Sequence, residues 1–271
     1  MKKEIEKIIN SSTVNGNQFW ARTDGDIHAP AGYSTIDVLN TLGDLGIKYN
    51  QYPVIADTIN FIFTYYDESG CFKYNQKSSK LPCITARLLT AFGRLGFSDD
   101  RLEICYQRLL NTQEEDGGWR CNTVKLGKSP STDASNPGTT LYVLDAFHHR
   151  NNSEKDILKL EKGVIFLLNH WQTKLPLGPC NFGIGTNFRK IEYPLIRYNL
   201  LYYCYVLSRF KVSLDNDCFQ EAISLIAGKL KDGKIKPENP HRLWQEFSFA
   251  QKEKESQMAT KKYQEILSNI S

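Results

Sequence analysis

Nowhere in the 271 residues does an apolar run approach the ~18 residues that a membrane-crossing helix requires. The opening segment, Met1-Lys-Lys-Glu-Ile-Glu-Lys7, also lacks the apolar core of a secretory leader, so the expected location is the cytoplasm. No stretch alternates apolar and polar residues long enough to read as a strand, which argues against sandwiches and barrels. The seven cysteines are an odd number with no Cys-x-x-Cys spacing, a pattern of reduced thiols and not of a disulfide framework. An excess of one charge is missing as well. The 34 basic residues are scattered among 30 acidic ones for a net +4, leaving no basic stripe for nucleic acid. With 41% hydrophobic and 24% charged residues, the composition is that of a chain with a substantial core, read as one domain over 1–271.

The most informative stretch is Gln113-Glu-Glu-Asp-Gly-Gly-Trp119, which follows a helical pattern at Leu102, Cys105, Tyr106, Leu109 and Leu110. Paired glycines stop the helix and a tryptophan folds back against it. Weaker copies place Gly25 before Ile27, Gly70 before Phe72, Gly178 before Phe182 and Gly233 before Ile235. Their separation of about fifty residues suits a repeat of two helices and their links. A second element follows four of the turns: Thr35 to Leu42, Thr85 to Phe92, Thr140 to Phe147 and Tyr203 to Phe210, three of them starting with threonine.

Periodicity predicts helices over 2–9, 33–45, 53–66, 83–95, 139–149, 154–171, 193–210, 218–230, 243–250 and 256–270, and one ending near Gln113 whose cap and first-turn acids come from Ser98, Asp99 and Asp100. A polar link over 122–136 separates the middle ones. Helices before each glycine have one polar face, whereas those after it are more apolar or aromatic, the one over 193–210 nearly all round. Such hairpins are expected to close into an all-α (α/α) toroid of five to six hairpins, with inner and outer helix rings around a central cavity.

In Gln113, Gly117, Gly118 and Trp119, and in Thr85-Ala86, the chain resembles the repeats of squalene and oxidosqualene cyclases and of protein prenyltransferase β subunits. The resemblance implies the same toroid with a cavity for an isoprenoid. In those cyclases the repeat Gln and Trp are structural, which implies no catalytic role for Gln113 or Trp119. Cyclase chemistry depends on Asp-x-Asp-Asp-Thr-Ala, in which one carboxylic acid protonates an alkene. The matching approach here, Ser135-Asn-Pro-Gly-Thr-Thr140, has no acid, and Asp133 just upstream is the candidate, with loop capping as the alternative. The prenyltransferase β subunits hold a catalytic zinc. Cys83, Cys121, Cys180 and His241 are the candidate ligands here, against a packing role.

Arg87 and Arg197 suit a diphosphate, and Tyr198 and Tyr202 could line an apolar pocket. The alternative for both arginines is pairing with acids such as Asp37, Asp145 and Glu192. Two functions remain open: an isoprenoid enzyme of cyclase or prenyl-transfer type, or a non-catalytic toroid that binds a lipid-like ligand or a partner protein.

Overall fold

The computed structural model describes residues 1–122, 127 and 129–271, so positions 123–126 and 128 of the polar link lie outside the described residues. The chain packs as two compact units: Met1–Thr112 with Asp145–Asn151, and Gln113–Leu144 with Asn152–Ser271. Both are built of helices, as expected. No helix among the described residues is long and apolar enough to cross a membrane.

The first unit contains α1 (Lys2–Asn10), α2 (Thr35–Asp44), α3 (Pro53–Phe63), β1 (Tyr66–Asp67), β2 (Cys71–Phe72), α4 (Pro82–Leu95) and α5 (Arg101–Asn111). Ser34 and Asp37 start α2 through a reciprocal capping box. Pro53 and Pro82 occupy the first turns of α3 and α4, where a missing N–H costs nothing, and Gly96 ends α4 at φ 70°. Residues 35–43 of α2 are all buried, and α2 packs along α4. By contrast α5 buries only Leu102, Cys105, Tyr106, Leu109 and Leu110, the apolar pattern of the sequence. Ahead of it Asp99 caps the amide of Arg101 at 3.0 Å, while Asp100 makes no side-chain cap bond.

The second unit holds α6 (Pro130–Asp133), most of α7 (Pro137–Phe147), α8 (Glu154–Thr173), α9 (Thr186–Arg189), α10 (Leu200–Leu207), α11 (Lys211–Leu214), α12 (Asp217–Ala227) and α13 (Gln257–Ile270). Ser153 with Asp156 boxes the start of α8, and Ser256 caps α13 through the Ala259 amide. Every residue of α10 is buried, whereas α12 buries one face. The two helix classes expected from the sequence are therefore present.

Three expectations change. The helix over 193–210 shortens to Leu200–Leu207 followed by α11, because Pro194 cannot donate to a ladder and Asn199 opens a new helix by accepting from Tyr202 N. The helix over 243–250 becomes two 3-10 turns, Arg242–Trp244 and Ser248–Ala250. Phe247 and Phe249 are both buried and stacked at 5.5 Å, and two residues two apart cannot share one face of an α-helix. Short strands also occur. β1 and β2 pair around Gly70, and isolated bridges join Leu177 to Phe182 and Lys231 to Lys234. Three of the repeat turns are thus miniature hairpins, too short to register as alternation in the sequence.

All five repeat glycines take positive φ, between 72° and 88°. The anchors Ile27, Phe72 and Trp119 are fully buried, and Ile235 nearly so. Threonine explains the shared register: Thr85 Oγ1 accepts from Phe72 N and Thr140 Oγ1 from Trp119 N, each at 3.0 Å. Thr260 Oγ1 accepts from Ile235 N at the same distance, so α13 repeats the device after the fifth turn. Each bond satisfies an anchor amide that would otherwise be buried without a partner. At the third turn Gln113 Nε2 donates to Gly117 O and to Lys159 O on α8, both at 2.7 Å, so Gln113 ties turn to neighbouring helix.

Candidate functional site

The approach to α7 in the second unit is where the sequence placed its acid and two of its thiols. Its polar groups build the helix start. Asn136 Oδ1 accepts from Thr139 N at 2.9 Å, Thr140 Oγ1 donates to Asn136 O, and Asp116 accepts from Ser135 N and Ser135 Oγ at 2.8 and 2.6 Å. Asp133 ends α6. Its carboxylate accepts from Gly127 N at 3.0 Å, and its carbonyl accepts from Arg120 Nη1, also at 3.0 Å. Arg120 is buried, with Nη2 3.9 Å from the Asp133 carboxylate. This is the loop-capping geometry offered as the alternative to an acid role.

Cys121 and Cys180, 59 residues apart, come together with their sulfurs at 3.4 Å. Cys180 is exposed and Cys121 half-buried. Among the described residues the buried Asn136 Nδ2 has no hydrogen-bond partner within ordinary geometry. The hydrogen bond with Cys121, helped by Asn136, pulls the Cys180 thiol down to about 6, against partial burial that raises it. Alkylation of Cys180 by iodoacetamide is therefore expected to reach half its plateau rate near pH 6, and Cys121→Ala to move that midpoint upward. Peptide mass spectrometry across a pH series reads both.

His241 caps the first 3-10 turn, its Nδ1 accepting from Leu243 N. Cys83 lies in the first turn of α4 in the first unit. Among the described residues no three His, Cys, Asp or Glu side chains group so as to hold a metal ion. Two thiols fall short of the three or four protein ligands of zinc sites, so the residues do not fit that group.

Above the start of α7 lies an aromatic face. A Cβ added at Gly138 would meet the Phe182 ring at 2.8 Å, and one turn on, Tyr142 lies 6.0 Å from the Tyr202 ring. Phe182 and Tyr142 are half-buried, while Tyr202 is buried. Tyr198, another candidate, is buried behind Phe182 with ring centroids 5.5 Å apart. Its hydroxyl meets His170 Nδ1 at 3.0 Å, and His170 Nε2 meets Leu175 O at the same distance. The backbone carbonyl can only accept, which makes Nε2 the protonated nitrogen and Nδ1 the acceptor from Tyr198. Burial lowers the His170 pKa, in keeping with a neutral ring. Sequence spacing singled out Tyr198 and Tyr202 but missed Tyr142 and Phe182, the two rings that reach solvent; the i, i+4 relation of Gly138 and Tyr142 was the available signal.

The arginines take the paired positions. Arg197 Nε donates to Glu192 at 2.7 Å and its Nη2 to Asn239 O at 3.3 Å. In the first unit Arg87 pairs with Asp37, and its Nη1 donates to His28 Nδ1 at 3.2 Å. The other Asp37 oxygen accepts from Gly32 N, Ser34 N and Ser34 Oγ. Burial, reinforced by the Arg87 charge, lowers the His28 pKa. Arg94 on α4, which spacing did not single out, forms a 2.7 Å pair with Asp145, both buried.

No family model and no curated protein matches the chain. Among solved structures it is similar to the apo form of the type II terpene cyclase MstE from Scytonema, with TM-score 0.46, 13% identity, and coverage of 98% of this chain and 74% of that one. A substituted form of MstE in complex with its substrate geranylgeranyl dihydroxybenzoate aligns with TM-score 0.43 and 13% identity over 98% of this chain and 73% of that one.

Proposed function

We propose that the protein binds an isoprenoid or other apolar ligand against the aromatic face of α7, without the acid that starts cyclisation in the enzymes its repeats resemble. The observation that carries this reading is the pair of half-buried rings, Phe182 and Tyr142, set over the buried Tyr198 and Tyr202. Partly exposed aromatic rings suit polyene chains, which offer apolar area and π density but few polar groups. The engagement of Asp116, Asn136, Thr139 and Thr140 in the start of α7 supports binding over proton-initiated catalysis.

Titration of the full chain with geranylgeranyl dihydroxybenzoate, read by tryptophan fluorescence and calorimetry, tests the proposal. Saturable binding is expected, and Tyr142→Ala should weaken it about tenfold, equivalent to about 1.4 kcal/mol. Absence of saturation, or an unchanged affinity in Tyr142→Ala, overturns it. Mass spectrometry of the incubated ligand decides between the two functions: unaltered ligand fits a binding protein, and a cyclised or transferred product restores the enzyme reading.

A further inference from the structure

We propose that Cys121 and Cys180 form an oxidisable dithiol, a modification site at which a peroxide oxidises Cys180 and Cys121 resolves it to a disulfide between the third and fourth repeat turns. The argument is geometric. The two sulfurs already lie 3.4 Å apart, so about 1.4 Å of approach brings them to the disulfide length of about 2.05 Å. Cys180 is exposed, which gives a small oxidant access, and the partly covered Cys121 lies behind it as a neighbour of the same chain. Cys180 belongs to the turn closed by the Leu177–Phe182 bridge, and Cys121 lies two residues after Trp119, so the bond would link two copies of one repeat element. Of the remaining cysteines, Cys83 and Cys218 are half-buried while Cys71, Cys105 and Cys204 are buried, and burial pushes the Cys105 thiol up to about 12.

The chemistry balances with hydrogen peroxide as the oxidant. The Cys180 thiolate attacks one peroxide oxygen, the O–O bond breaks, and hydroxide leaves and takes a proton to become water, giving a sulfenic acid. Cys121 sulfur then attacks Cys180 sulfur, the S–S bond forms as the S–O bond breaks, and the thiol proton leaves with hydroxide as a second water. Two thiols lose two electrons and two protons in total, and one peroxide becomes two waters.

The test treats the full chain with equimolar hydrogen peroxide and follows thiol count, intact mass and peptide map. The expected result is loss of two of the seven thiols, loss of two hydrogens in mass, and a Cys121–Cys180 cross-linked peptide that a reducing agent removes. Cys121→Ser should then accumulate a dimedone-trapped sulfenic acid at Cys180, and Cys180→Ser should leave Cys121 at least tenfold slower to react. Circular dichroism confirms that each variant is folded, and the wild-type peptide map decides the matter without them. Oxidation spread over other thiols, or Cys180 advancing to sulfinic acid with Cys121 unmodified, overturns the proposal.

Discussion

Replacing Asp145 with alanine is expected to destabilise the protein by about 3–5 kcal/mol, because the Arg94 guanidinium would be left buried without its carboxylate. The pair is enclosed, with side-chain exposures of 6% for Arg94 and 0% for Asp145, so solvent cannot substitute for the missing partner. Arg94 extends from the last turn of α4, and the 2.7 Å contact ties that helix to the 145–151 segment of the first unit. A Cβ at Gly93 would meet His149 at 2.3 Å, so helix and segment are closely packed at this point. Replacing both partners, Arg94→Met with Asp145→Leu, should cost much less than Asp145→Ala alone, since no uncompensated charge remains. Urea unfolding of the variants, followed by circular dichroism, measures both. Equal losses in the single and double variants would mean that packing, and not the charge, dominates at this site.

Trp119→Ala should cost a similar amount, about 3–5 kcal/mol, because it removes a fully buried indole and leaves a large cavity in the second unit. The indole is fully buried, and a Cβ at Gly163 would lie 2.8 Å from its Cζ3, so α8 approaches the ring at a position only glycine leaves open. The ring also marks the turn that Gln113 and Thr140 hold in place from either side. Trp119→Phe retains an aromatic anchor and should cost clearly less. A thermal melt that left Trp119→Ala within a degree or two of wild type would remove the repeat turn from its place as the organising element of this unit.

Much of the fold was legible because it depends on local chemistry. Glycine before an apolar anchor needs only positive φ, and threonine in register needs only an anchor amide to accept from, so both survive divergence of the intervening residues. The 193–210 helix failed for a readable reason, Pro194, whose effect was outweighed by an apolar pattern that burial produces in loops as well as helices. The alternative pairing of Arg87 with Asp37 was also readable, since an acid and a guanidinium confined to a core have few other partners. The half-exposed state of Tyr142 and Phe182 was not, because exposure of one ring among many depends on what packs against it.

By itself, the sequence determined the helical class, the repeat turns with their glycines and anchors, and the absence of acids from the start of α7. These follow from backbone preferences and residue identity, which act within a few residues. Only the tertiary structure decided that Cys121 and Cys180 meet, that Arg94 selects Asp145, and that Thr260 repeats the bond made by Thr85 and Thr140. Those pairings join residues between 13 and 59 positions apart in the chain, and loop lengths and helix packing set them, neither of which is encoded in any one segment.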